Sequence, residues 1–148
     1  MPFELKSIPT TGCTLWYGES ASAVSTEVGN INDIEELPVR TRDEYETTRI
    51  DQKKSDGSVD WNKKYALGYA DNGSARYTLG LDEDQADALR TLDEDKVYYW
   101  EHRFPSGAKL TFKGKIITNG FQATKGQEIL QSFGVRLIDE CVFVKATA

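Results

Sequence analysis

The sequence predicts a mainly β fold with one α-helix. Three observations predict it. Apolar and polar residues alternate with a period of two through several segments, the pattern of half-buried strands. Aromatic residues make up 11% of the chain, seven of them Tyr, and such residues suit a pleated, half-buried surface. Helical spacing together with a helix start signal occurs in one stretch, at about 83–93.

Taken in chain order, residues 1–12 read as a flexible leader to a single domain spanning 1–148. Strand candidates follow at 13–18 (Cys-Thr-Leu-Trp-Tyr-Gly), 26–31 and 44–50. Residues 49–68 are different. They are polar, dense in both signs of charge, and carry the turn signal Ser55-Asp56-Gly57-Ser58. This stretch reads as a long β-hairpin loop with no apolar face to bury against its own core, and long loops in compact domains are usually functional or disordered. Trp61 within it is either tucked back onto the sheet or an anchor for a partner. Asp71-Asn72-Gly73 then reads as a hairpin turn. Over 74–81 the alternation sets Ala75, Tyr77, Leu79 and Leu81 against Ser74, Arg76 and Thr78.

The helix at 83–93 has Asp82 as its cap and Gln85 at capping-box spacing. Glu83 and Asp84 suit the positive end of its dipole, and Asp93-Glu94-Asp95 oppose its continuation. Its stripe of Ala86, Leu89 and Leu92 is too thin for a free helix, so it should lie across the sheet. Beyond it, 97–104 places Tyr98, Trp100, His102 and Phe104 on one face. Pro105-Ser106-Gly107 turns the chain, and 109–117 returns with Leu110, Phe112 and Ile116 opposite Lys109, Thr111, Lys113 and Lys115. The last strand is 133–144, with Asp139-Glu140 marking a bulge or corner.

Composition and motifs argue against most chemistry. The net charge of −6 opposes a surface that grips nucleic acid. The two cysteines, Cys13 and Cys141, lack CxxC spacing and read as buried thiols rather than as metal ligands or a bridge. The single histidine, His102, sits mid-strand and reads as a core or rim residue; one His cannot build a three-His metal centre. Neither a Gly-x-Ser-x-Gly elbow nor a phosphate-binding glycine loop occurs. The acidic clusters fall in turns and at helix ends, where solvated charge is the ordinary explanation. Cross-strand pairing with Glu101 and Asp139 is the expected use of the Lys109, Lys113 and Lys115 face. The N-terminus does not read as a signal peptide, and no apolar run approaches the length needed to span a membrane. No enzyme activity and no cofactor are expected.

The ordered landmarks carry a resemblance. They run from Thr14-Leu15-Trp16 and Val28-Gly29-Asn30-Ile31 to Tyr45-Glu46-Thr47-Thr48 before the charged loop. Gly68-Tyr69-Ala70-Asp71-Asn72-Gly73, a single helix, Phe104-Pro105-Ser106-Gly107 and Lys113-Gly114-Lys115-Ile116 follow. In this order they resemble the major tail tube proteins of long-tailed, siphovirus-type bacteriophages over nearly the whole chain. The resemblance implies a structural virion protein whose single domain is a β-sandwich or barrel-like fold with one helix on its flank. Six copies would form a ring, rings would stack into a hollow tail tube, and DNA would pass through the lumen unbound. If each copy gave four strands, a barrel of about 24 strands at roughly 4.8 Å spacing would be about 37 Å across before tilt widens it. The long loop would reach the neighbouring ring, so Arg49, Asp51, Lys53, Lys54, Asp56, Trp61, Lys63 and Lys64 are the expected stacking residues. Implied partners are further copies of the chain, tail terminator, tape measure and baseplate or tip proteins; assembly would take place in the host cytoplasm, with no membrane involved. Two other readings stand beside it. One is the inner-tube subunit of a contractile injection system. The other is a small β-sandwich module that binds carbohydrate or peptide on a platform of Trp61, Trp100 and Tyr99.

Overall fold

The structure is a computed structural model and describes residues 10–147. The expected flexible leader at 1–12 therefore lies largely outside the described residues. Ten strands and one helix follow in the order β1 (Thr14–Gly18), β2 (Thr26–Val28), β3 (Ile31–Glu36), β4 (Thr41–Glu46), β5 (Tyr65–Asp71), β6 (Ser74–Gly80), α1 (Glu83–Arg90), β7 (Tyr98–Arg103), β8 (Lys109–Gln122), β9 (Leu130–Leu137) and β10 (Val142–Val144). The fold is mainly β, as the alternation predicts, with the sandwich-like sheet arrangement that the resemblance implies. The described residues divide into two compact units, one formed by 10–39 with 72–147 and the other by 40–71.

The larger unit is built on one sheet in the order β2-β1-β7-β8-β9-β6-β3, with β10 also paired to β8. Every pairing in it is antiparallel. Its two outermost strands, β2 and β3, are consecutive in the chain and separated only by Gly29-Asn30. The sheet must therefore curl until its ends meet. The sequence reads 26–31 as one strand, but Asn30 has φ of +58° and breaks it into two. The acidic strand β3 (Ile-Asn-Asp-Ile-Glu-Glu) was not expected, because its carboxylates mask the alternation. Two of them find partners on β6: Thr78 Oγ1 donates to Glu35 at 2.6 Å, and Ser74 Oγ donates to Glu36 at 3.3 Å.

The inward residues of the strands make one core. Leu15, Ala75, Tyr77, Leu79, Trp100, Phe133 and Val135 are each no more than 1% exposed. Trp100 packs against Phe133 and Tyr17 at centroid distances of 5.5 and 5.4 Å. Leu81 departs from the expected buried face: β6 ends at Gly80, and Leu81 is exposed. β8 changes partners along its length. Residues 109–114 pair with β7 and residues 114–122 with β9. At the crossing point a Cβ on Gly114 would stand 2.2 Å from the Arg136 carbonyl oxygen, so only glycine fits. The expected corner at Asp139-Glu140 is present as a gap between β9 and β10, both of which border β8.

α1 is shorter than the 83–93 reading and stops at Arg90, capped by Thr91. Asp82 caps its start by accepting from the Asp84 and Gln85 amides. Gln85 does not close a capping box. Its side chain reaches instead to the β2–β3 link, accepting from Gly29 N at 2.7 Å and donating to Gly29 O at 2.9 Å. Ala86 and Leu89 are buried, and Leu92 packs against the core, as the stripe predicts. Asn119 of β8 donates to the Leu89 carbonyl at 3.3 Å, satisfying one of the orphan carbonyls of the last turn.

Candidate assembly surface

Residues 40–71 form a hairpin of β4 and β5, a sheet of two strands only. The strand expected at 44–50 lies at 41–46, and the loop expected at 49–68 runs from 47 to 64. Residues 65–68 are strand because Tyr65, Ala66 and Leu67 pair with Glu46, Tyr45 and Glu44. Asp71-Asn72-Gly73 is not a hairpin turn: it links β5 to β6, and these strands belong to different sheets. Gly73 has φ of +82°, and a Cβ there would lie 2.7 Å from the Val39 carbonyl oxygen.

Tyr65 and Leu67 share one face of β5 opposite Ala66, and a bulge facing Arg42–Glu44 interrupts the alternation before Tyr69. Tyr65, Leu67 and Tyr69 are all exposed. An isolated two-stranded hairpin is marginal in water, and this one holds its shape through polar contacts rather than a core. Gln52 is the staple of the loop. Its Nε2 donates to the carbonyls of Asp60 and Asn62 at 2.8 and 2.7 Å, and its Oε1 accepts from the Arg49 amide at 3.1 Å. Lys54 N donates to Ser58 O at 2.8 Å and Gly57 N donates to Lys54 O at 3.0 Å, closing the tip at the Ser55-Asp56-Gly57-Ser58 turn.

The charged residues singled out from sequence divide by role. The hydroxyl and amide of Ser58 donate to Asp56 and hold its carboxyl below the usual carboxylate range. Asp60 is held low by the Asn62 amide and by Lys64, whose Nζ lies 3.2 Å away. Lys64 and Asp56 thus shape the loop. Arg49, Asp51, Lys53, Lys54 and Lys63 stand exposed along it. Trp61 is 87% exposed, so it is not tucked onto a sheet, and Ile50 is fully exposed. Ile50, Tyr65, Leu67 and Tyr69 were not singled out from sequence. Their signal was the large–small alternation Tyr65-Ala66-Leu67-Gly68-Tyr69, which marks an apolar face without telling what covers it.

Elsewhere the candidate chemistry is structural. His102 is fully buried, with Nδ1 2.9 Å from the Tyr77 hydroxyl, and burial holds its pKa below the usual histidine value. Burial likewise pushes up the Tyr77 phenol, next to Cys13 and Cys141. Both cysteines are half-buried thiols. Two lysines of this face pair with the expected carboxylates: Lys109 lies 3.1 Å from Glu101 of β7, and Lys113 lies 3.7 Å from Asp139 in the link between β9 and β10. Burial raises the pKa of Glu101, but its hydrogen bonds from Arg103 and Lys109 outweigh this and hold it low. A groove of about 500 Å³ beside β7, β8 and β10 contains these same paired groups. Trp100 is 1% exposed and Tyr99 points to the opposite face of β7, so the two cannot share a ligand platform. No three of the described His, Cys, Asp or Glu side chains are grouped to hold a metal, and no described helix is long and apolar enough to cross a membrane.

No family model matches the chain, and no curated protein matches it by sequence. Solved structures do match. A chain of the anti-feeding prophage (AFP) baseplate, 6-fold symmetrised, superposes with a TM-score of 0.68 at 10% identity, over 100% of both chains. A chain of the PVC extracellular contractile injection system, in its sheath/tube terminator structure, gives 0.62 at 10% identity over 95% of this chain and 99% of that one. A chain of the PVC sheath-tube complex gives 0.60 at 12% identity over 95% and 93%. At these identities the likeness is one of fold, and the fold is one that phage-like baseplate, terminator and sheath-tube assemblies contain.

Proposed function

We propose that the chain is a structural tube subunit of a phage-like tail. Copies close into hexameric rings, rings stack into a hollow tube, and the tube conducts DNA to the host without binding it. The observation that carries this reading is the whole-length fold likeness to chains of tail-like assemblies. The hairpin supports it: residues 40–71 expose an apolar face that a lone chain in water has no use for. The net charge of −6 suits a wall that phosphates slide past. Tail terminator, tape measure and baseplate or tip proteins are the partners of such a tube, and the assembled tail of the virion is its place. The two likenesses to a contractile injection system favour one variant of the reading, an inner tube within a sheath. No catalytic role is proposed.

Negative-stain microscopy of the purified chain tests the reading. Rings or tubes should form as concentration rises. Monomers alone across a range of salt and concentration would overturn it.

A further inference from the structure

Two exposed surfaces of the chain carry the same pattern with opposite charge. The first is the loop of the hairpin, where Ile50 and Trp61 stand exposed. Residues 47–64 around them hold five cations against three carboxylates. The second surrounds α1, where Leu81, Phe121 and Ile129 are exposed. The Leu81 amide donates to the Ile129 carbonyl at 3.2 Å, and the Arg90 guanidinium lies 5.5 Å over the Phe121 ring. These three residues therefore gather at one end of β6, β8 and β9. Residues 82–95 beside them hold seven carboxylates against one cation.

We infer that the cationic apolar tip of one copy docks on the acidic apolar end around α1 of the next copy. The occupant is a second copy because the chain carries both halves of the match, in charge and in exposed apolar surface. Residues 40–71 are balanced at seven cations and seven carboxylates, so the whole net charge of −6 lies outside them. Two copies repel through their larger units and attract where the tip meets α1. The two surfaces differ, so the contact is heterologous: it builds a ring where its rotation closes and an open filament where it does not, rather than a two-fold dimer. This inference rests on the tube reading and names the receptor that reading leaves open.

The test is a charge swap read by sedimentation and microscopy beside the unaltered chain. The tip variant Lys53→Glu with Lys54→Glu and Lys63→Glu should keep its circular dichroism but lose sedimentable tubes. The receptor variant Asp87→Lys with Glu94→Lys should do the same. The chain carrying all five changes should regain tubes. If the unaltered chain forms tubes and the tip variant forms them equally well, the inference falls and the tube reading stands. Two defective variants whose combination stays defective while folded would also overturn it. An unaltered chain that never assembles would overturn both.

Discussion

Gly73 and His102 show how single residues hold this fold. Gly73 lies where the chain returns from the hairpin, at positive φ and with the Val39 backbone where a Cβ would stand. Gly73→Ala combines left-handed strain with that clash and should cost about 1–3 kcal/mol, seen as a lower urea midpoint with an unchanged slope. Unaltered stability would show that the backbone there relaxes freely. His102 makes a pH prediction. Burial lowers its folded pKa below the unfolded value near about 6.5, so the unfolded chain takes up the proton first. Stability from this residue is intact above that value and declines as pH falls through it toward the folded pKa. His102→Gln removes the titration, so the melting temperature should fall less between pH 7 and 5 in the variant than in the unaltered chain. Equal falls would place His102's proton uptake in the folded state.

Among the elements, α1 and the hairpin stand at opposite ends of the range. The helix is short, yet it is tied at Gly29 through Gln85, at its last turn by Asn119, and underneath by Ala86 and Leu89. The hairpin has no buried apolar residue, and every core residue of the chain lies outside 40–71. Deleting residues 52–60 should therefore leave the thermal unfolding of the larger unit unchanged and abolish tube growth under conditions where the full chain assembles. Loss of the cooperative melt in that deletion would mean the loop supports the core after all.

At the scale of the whole molecule, the buried core and the exposed hairpin belong to different units of the chain. The β6–β9 ladder is continuous over seven residue pairs and covered by core side chains, whereas β4 and β5 pair in a sheet of two strands. Hydrogen exchange should therefore be fast at 41–46 and 65–71 in the free chain, slow in β6 and β9, and slowed in the hairpin after assembly. Hairpin amides as protected as those of β9 before assembly would contradict a segment waiting for its partner.

The sequence by itself determined the strands that alternate, β6, β7 and the first part of β8, and offered β1 as a candidate. It also determined the capped start of the helix, the corner at Asp139-Glu140 and the charged loop around Trp61. These are readable because each depends on residues near one another in the chain. Tertiary structure decided what depends on distant partners. Glu35 and Glu36 became strand because Thr78 and Ser74 receive them, and Gln85 left its own helix cap for Gly29. Trp61, which the sequence left between the sheet and a partner, stands outside, while Trp100 on its aromatic strand goes into the interior that the curled sheet provides. A local pattern can mark a face as apolar; what covers that face is fixed only when the chain, or a second copy of it, arrives there.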